Sequence, residues 1–360
     1  MCEKLKMQEI VEFYNIPYLR KYIEKYIIST IIDWKYISKY IKLQEQFIKG
    51  FQDQLDWDLI SIYQNLTENM IRKFYNKVNW TYIVKHQTLS ENFIREFENI
   101  FNHKVYWTFI SKRQKLSEDF IREFNDRVDW ELTSKYQNLS ENFIREFNDT
   151  VDWKCISEYQ ELSEDFIREF ENRVDWNLVS MHQKLSENLI REFNDRVDWE
   201  RTSRHQKLSE NFIREFCDKV DWKSISRYQK LSEDFVVNFK NKINLDYISV
   251  YQKLSEDFIR EFEDEVDWEL ISEYQKLSED FIREFEDRVD WDYISEYQEL
   301  SEDFIREFKD KINWICIFKY RRMNTSTDFF ANLKTFISYT NNKFSKEFLN
   351  EFNDKIFQFP

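Results

Sequence analysis

Apolar residues along this chain fall into two short alternating stripes, each introduced by a capping residue. Residues 153–174 show the pattern: Trp153, Ile156 and Tyr159 come at three-residue steps, and after Leu162 come Phe166, Ile167, Phe170 and Val174. The second set falls at i, i+1, i+4 and i+8, one face of a 3.6-residue period, and predicts an amphipathic helix of about twelve residues. The first set predicts a shorter helix of about eight, with Trp153, Ile156 and Tyr159 on its core face. In the copy beginning at Trp130, Asp129 stands just before the first stripe and Ser140 just before the second. Both are side chains that accept the orphan N–H groups of a helix start. Val128 with Thr133, and Leu139 with Ile144, have the spacing of a hydrophobic staple. Acidic first turns, such as Glu164-Asp165, suit the positive end of the helix dipole.

This two-helix block repeats. Trp34, Trp57 and Trp80 lie 23 residues apart, and the step resumes through Trp107, Trp130, Trp153, Trp176, Trp199, Trp222, Leu245, Trp268, Trp291 and Trp314. Only the 27 residues between Trp80 and Trp107 break it, which places a four-residue insertion near 98–101. There Tyr106 stands where other copies carry the Asp or Asn cap, and a local bend or protrusion is expected. A coiled coil is excluded, because 23 is a multiple of neither seven nor eleven. Helices this short are unstable alone in water and are stabilised only by stacking on their neighbours. The predicted fold is therefore all-α: an α-solenoid of about 13 stacked two-helix repeats, with the tryptophans buried between them. Its expected divisions are a degenerate N-terminal cap at 1–33, the repeats at 34–322 and a degenerate C-terminal cap at 323–360. In the first, Tyr22, Ile23 and Tyr26 echo the trailing stripe, and in the last residues 344–356 do so.

Composition narrows this further. One glycine (Gly50), two prolines (Pro17 and Pro360) and one alanine (Ala331) leave little for left-handed turns or glycine-rich phosphate loops. The start of the chain is charged and lacks an apolar leader, and Tyr26–Ile32 is too short to span a bilayer, so an intracellular protein with no membrane association is expected. Cys2, Cys155, Cys217 and Cys316 are scattered without pairing and read as reduced thiols. His86, His182 and His205 replace the tyrosine of the first stripe, and His103 lies by the insertion, so no metal or cofactor is expected. The glutamine recurring from Gln64 to Gln298 and the serine recurring at Ser157, Ser180 and Ser226 read as a hydrogen-bonded ladder closing the first helix. Glu164 with Arg168, and Glu123 with Arg127, have the i,i+4 spacing of helix-surface ion pairs.

With no acid–base pair or nucleophile outside the repeat pattern, an enzyme is not expected. The net charge is −15, and residues 255–303 hold 20 Asp and Glu against 4 Lys and Arg. One reading is that the block repels nucleic acid and docks a basic protein partner, with Glu269, Glu273, Asp292 and Glu296 as candidate contacts; the other is that near-identical copies simply carry Glu where others carry Lys. Basic residues gather immediately afterwards, from Lys311 to Lys346. On the first helix, Ile62, Met181 and Val250 put apolar side chains where other copies carry charge, and they are further candidate contacts.

The phrase Leu-Ser-Glu-Asp-Phe-Ile-Arg-Glu-Phe followed by Val-Asp-Trp, at residues 277–291, resembles short tandem repeats encoded by large DNA viruses of amoebae. The resemblance covers about residues 30–315 and implies a viral protein working in host cytoplasm, but no particular activity. The expected function is a non-catalytic scaffold binding a host or viral protein. The alternative is a structural or virion-associated spacer without a specific binding surface.

Overall fold

The computed structural model describes residues 33–318 and 344–351. The expected N-terminal cap, most of the C-terminal one and the basic run from Lys319 to Lys343 lie outside these residues. The described chain is all-helical and built of regular repeats of about 23 residues. It forms two compact parts, Met1–Gln183 and Lys184–Pro360. In each part, leading helices of consecutive repeats pack side by side, as Trp130–Tyr136 does on Trp153–Tyr159 and Trp268–Tyr274 on Trp291–Tyr297. This is the α-solenoid architecture.

One repeat shows how the sequence produces it. Asp152 accepts the N–H of Cys155 at 2.8 Å and starts the leading helix Trp153–Tyr159. Gln160 then turns the chain into extended backbone, and Ser163, accepting the N–H of Phe166 at 3.2 Å, starts the trailing helix Glu164–Glu169. That helix is six residues long, shorter than the sequence suggests. Phe170 ends it at φ −112°, ψ 31°, and the amides of Arg173 and Val174 both return to the Phe170 carbonyl. The last apolar position, Val174, thus sits on a tight right-handed turn. Because its cap residues all have negative φ, as Gln160 at −95° and Phe170 at −112°, no cap of the repeat requires glycine.

Phe166, Ile167 and Ile156 are fully buried, and Val174 nearly so. The tryptophans depart from expectation. Apart from Trp107 and Trp314 they are half-buried, each lying on phenylalanines of its own repeat. Trp153 stands 6.2 Å from Phe166 and 4.9 Å from Phe170. The reason is the indole N–H, which must find an acceptor. It donates to the carbonyl five residues back, Asn148 for Trp153 at 2.9 Å, and that carbonyl lies at the surface end of the preceding turn.

The insertion also differs in detail. The extra residues extend the leading helix backward to Lys104–Arg113, with His103 at the cap position, so Tyr106 is not the cap. In most other described repeats the cap amide is received by the serine 18 residues earlier, as Asp175 by Ser157 at 2.9 Å, although the Ser249 hydroxyl is buried without a partner. In the repeat before the insertion that serine is Val84. With no hydroxyl to receive it, the Tyr106 amide donates to the His103 carbonyl at 3.0 Å, inside an added helical turn. Phe101 is buried against Trp80 and Tyr106, and Trp107 is driven to 2 % exposure with its indole N–H unpartnered.

The copy at the C-terminal side docks as a repeat should. Lys346–Glu351 is helical, Ser345 accepts the Phe348 amide at 3.1 Å, and Glu302 receives both the backbone N–H and the hydroxyl of Ser345.

Candidate functional site

The residues common to all repeats are occupied in holding the stack. Gln160 donates from Nε2 to the carbonyls of Ser134 and Gln137, both at 2.8 Å, and its Oε1 accepts the Leu139 amide at 3.1 Å. The glutamine ladder expected from the sequence is therefore present, and within each of the two parts it joins a leading helix to the end of the one before it. Ser157 uses both its functions, accepting from Asp175 and donating to the Trp153 carbonyl at 2.7 Å. On the trailing helices, Arg145 reaches Glu169 of the next repeat at 2.7 Å while its guanidinium lies 5.0 Å over the buried Phe166 ring. The Glu164–Arg168 pair forms at 3.4 Å. Glu123 instead receives Arg95 at 2.7 Å, and Arg127 pairs with Glu98 at 2.8 Å. Arg127 lies beyond the end of its trailing helix, Glu118–Glu123, so i,i+4 geometry does not apply to it.

What remains free of these duties is the last turn of the leading helix. Its final residue, read from the sequence as core, is exposed. Tyr40, Tyr63, Tyr136, Tyr159, Tyr228, Tyr251, Tyr274 and Tyr297 have 39–63 % of their surface open. His86, Arg113, His182 and His205 occupy the equivalent places and are also exposed. The cause is geometric: Ile156 and Ser157 point into the stack, and Tyr159, three residues past Ile156, has rotated to its rim. These tyrosines carried a signal in the sequence, since a core position would not accept the exchange of Tyr for His or Arg.

The residue just before each tyrosine is the variable one, and it includes Ile62, Met181, Val250, Glu273 and Glu296. Met181 is exposed and the other four are half-buried. Where this residue is cationic and both its own repeat and the next carry the tyrosine, its charge lies between the two rings. Lys39 Nζ is 4.8 Å from Tyr40 and 5.1 Å from Tyr63, and Lys135 is 5.5 Å from Tyr136 and 4.5 Å from Tyr159. Arg227 is 5.2 Å from Tyr228 and 5.1 Å from Tyr251. Contact with the tyrosines raises the pKa of Lys39 and of Lys135, so the inter-ring position favours positive charge.

Of the remaining candidates, Glu269 and Asp292 sit in the first turns of their helices, away from this row. Asp292 accepts the side-chain N–H of Asn313 at 2.6 Å. The Cys155 thiol is pushed up to about 11, first by burial and then by Asp152, which keeps it protonated and unreactive at neutral pH. Burial lowers the pKa of His86, with Lys85 and Arg113 adding to the effect. Among the described residues no cluster of histidine, cysteine and carboxylate side chains could hold a metal. Among them, too, no helix is long and apolar enough to cross a membrane.

Fold and surface together define the class: a helical repeat protein whose shared residues hold the stack and whose exposed rows vary from copy to copy. Compared with known proteins, the chain matches no family model, no curated protein and no solved structure.

Proposed function

We propose that this chain is a non-catalytic scaffold that binds a protein partner, of host or viral origin, through the last turns of its leading helices. One observation carries this reading. The ring row is exposed, the variable residue beside it is exposed or half-buried, and neither takes part in the glutamine and serine ladders, so both are open to diversify without loss of the fold. Rigid, half-open tyrosines flanked by changing charge are well suited to protein recognition, because they supply contact area at low entropic cost.

The test is a crosslinking pulldown from cells with the full chain and with a variant carrying Tyr136→Ser and Tyr159→Ser. Capture of a stoichiometric partner by the first, and its loss in a variant of unchanged circular dichroism, supports the scaffold. Equal capture by both, together with full function after deletion of one whole repeat, would establish the alternative of a spacer whose length alone matters.

A further inference from the structure

The row of rings contains its own record of what it accepts. In three separate repeats a lysine or arginine of the chain stands between consecutive tyrosines at 4.5–5.5 Å from each ring centroid. Between Tyr274 and Tyr297 the corresponding residue is Glu273. Among the described residues no cation lies over either ring, and the two tyrosines border a cleft of about 350 Å³. Its walls include Glu273, Glu299 and Lys276, and its floor is the amide ladder of Gln275 and Gln298. Those amides are committed to backbone groups: Gln298 donates to Ser272 and Gln275 and accepts from Leu277 at 2.8–3.1 Å. The cleft therefore offers two rings and the carboxylates of Glu273 and Glu299 against the single cation of Lys276 in its wall, and no unsatisfied donor from its floor.

The charge around this place is reversed as well. Glu273 is the first cause of a raised pKa at the Tyr274 hydroxyl, and also at that of Tyr293, to which Glu269 and Asp290 contribute. A proton on either phenol is thus held by surrounding negative charge. The repeats with an internal lysine have filled the inter-ring position themselves. This one keeps the rings and replaces the occupant with a carboxylate, which would pair with a cation supplied from outside.

We infer that the Tyr274–Tyr297 cleft is a seat for one lysine or arginine side chain of a partner protein, held between the two rings and paired with Glu273. This inference rests on the scaffold reading and names the chemistry of one of its contacts. It also divides the acidic block: Glu273 acts at the seat, while Glu269 and Asp292 contribute only to the field around it.

The experiment measures binding of an alternating arginine–alanine peptide to the full chain by fluorescence anisotropy at physiological salt, with the alternating norleucine–alanine peptide as the uncharged control. Glu273→Lys places an internal cation in the seat, as Lys39 and Lys135 do in theirs, and should weaken arginine-peptide binding more than tenfold. Glu261→Lys makes the same charge change on an exposed trailing helix and should weaken it no more than about twofold, as expected of a screened charge at a distance. The double variant Tyr274→Leu, Tyr297→Leu leaves charge untouched and should also lose more than tenfold. The seat is overturned if Glu273→Lys and Glu261→Lys weaken binding equally while the leucine variant binds as well as the parent, because the attraction is then diffuse. It is equally overturned if the arginine peptide binds no better than the norleucine control. Cellular partner capture is scored separately: capture that survives Glu273→Lys but is lost with Tyr136→Ser and Tyr159→Ser removes the seat and leaves the scaffold standing.

Discussion

Replacing Gln160 by methionine tests whether the amide ladder holds neighbouring repeats together. Methionine keeps the volume and the flexible stem, so the cavity contribution is small. Three buried backbone groups lose their partners: the carbonyls of Ser134 and Gln137 and the N–H of Leu139. An unsatisfied buried polar group costs about 1–3 kcal/mol, so the loss at this one interface should be at least about 3 kcal/mol. In a linear array the cost falls on one nearest-neighbour term and is not shared by the whole molecule. Urea unfolding followed by tryptophan fluorescence should therefore become broader or biphasic, and amide exchange at Leu139 should accelerate by two orders of magnitude or more. Glu161→Gln, an exposed change one residue along, serves as the control and should stay within about 0.5 kcal/mol of the parent. A methionine variant within about 1 kcal/mol of the parent, with Leu139 still protected, would show that apolar packing alone couples the repeats.

Two further outcomes follow from other parts of the fold. The hydroxyls of Thr133 and Thr202 are buried without a partner where sister repeats carry Ile156 or Val179, so Thr202→Val should raise the urea midpoint by the equivalent of about 1–2 kcal/mol; a lowered midpoint would mean that the hydroxyl is satisfied. The Glu302 carboxyl lies below its ordinary pKa, chiefly because it accepts the Ser345 amide, with the Ser345 hydroxyl and Arg306 assisting. A depressed carboxyl stabilises docking above its unfolded pKa of about 4.3 and loses that contribution as pH falls through the folded value. The Ser345 amide resonance should thus hold steady from neutral pH down to about 5 and move below about 4, and Glu302→Gln should abolish the movement; a resonance that titrates near neutrality would contradict the assignment.

The helices and their starts were legible in the sequence because they depend on local chemistry. An Asp, Asn, Ser or Thr beside a hydrophobic stripe fixes a helix start in most described copies, the exceptions being Gln44 and His103, whose side chains form no cap hydrogen bond. Position around the helix was less legible. Trp153 and Tyr159 share spacing with Ile156, yet each carries a polar end that keeps it at the rim, one by the Asn148 carbonyl and the other by open solvent. The true cap of the insertion, His103, could not be read from Tyr106 alone. It follows from the pairing of that residue with Val84, a coupling that becomes visible only once serine 18 residues earlier is known to hold the cap amide. For the exposed tyrosine row, the acidic block was legible as charge, but its relation to the rings required the lysines of other repeats, whose placement between rings no linear spacing reveals.

The amide ladder has a mechanical consequence. Gln160 reaches carbonyls 23 and 26 residues earlier and an amide 21 residues earlier, and Gln114, across the insertion, reaches carbonyls 27 and 30 and an amide 25 residues earlier, so each of these ties ends within the adjoining repeat. Pulled from its ends, either part of the chain has, among its described residues, no glutamine tie that shares the load between distant repeats. It would give way one repeat at a time, each release letting out roughly 80 Å of extended chain for about 23 residues at 3.3–3.6 Å apiece. A partner attached to several repeats would set where along the chain that yielding stops.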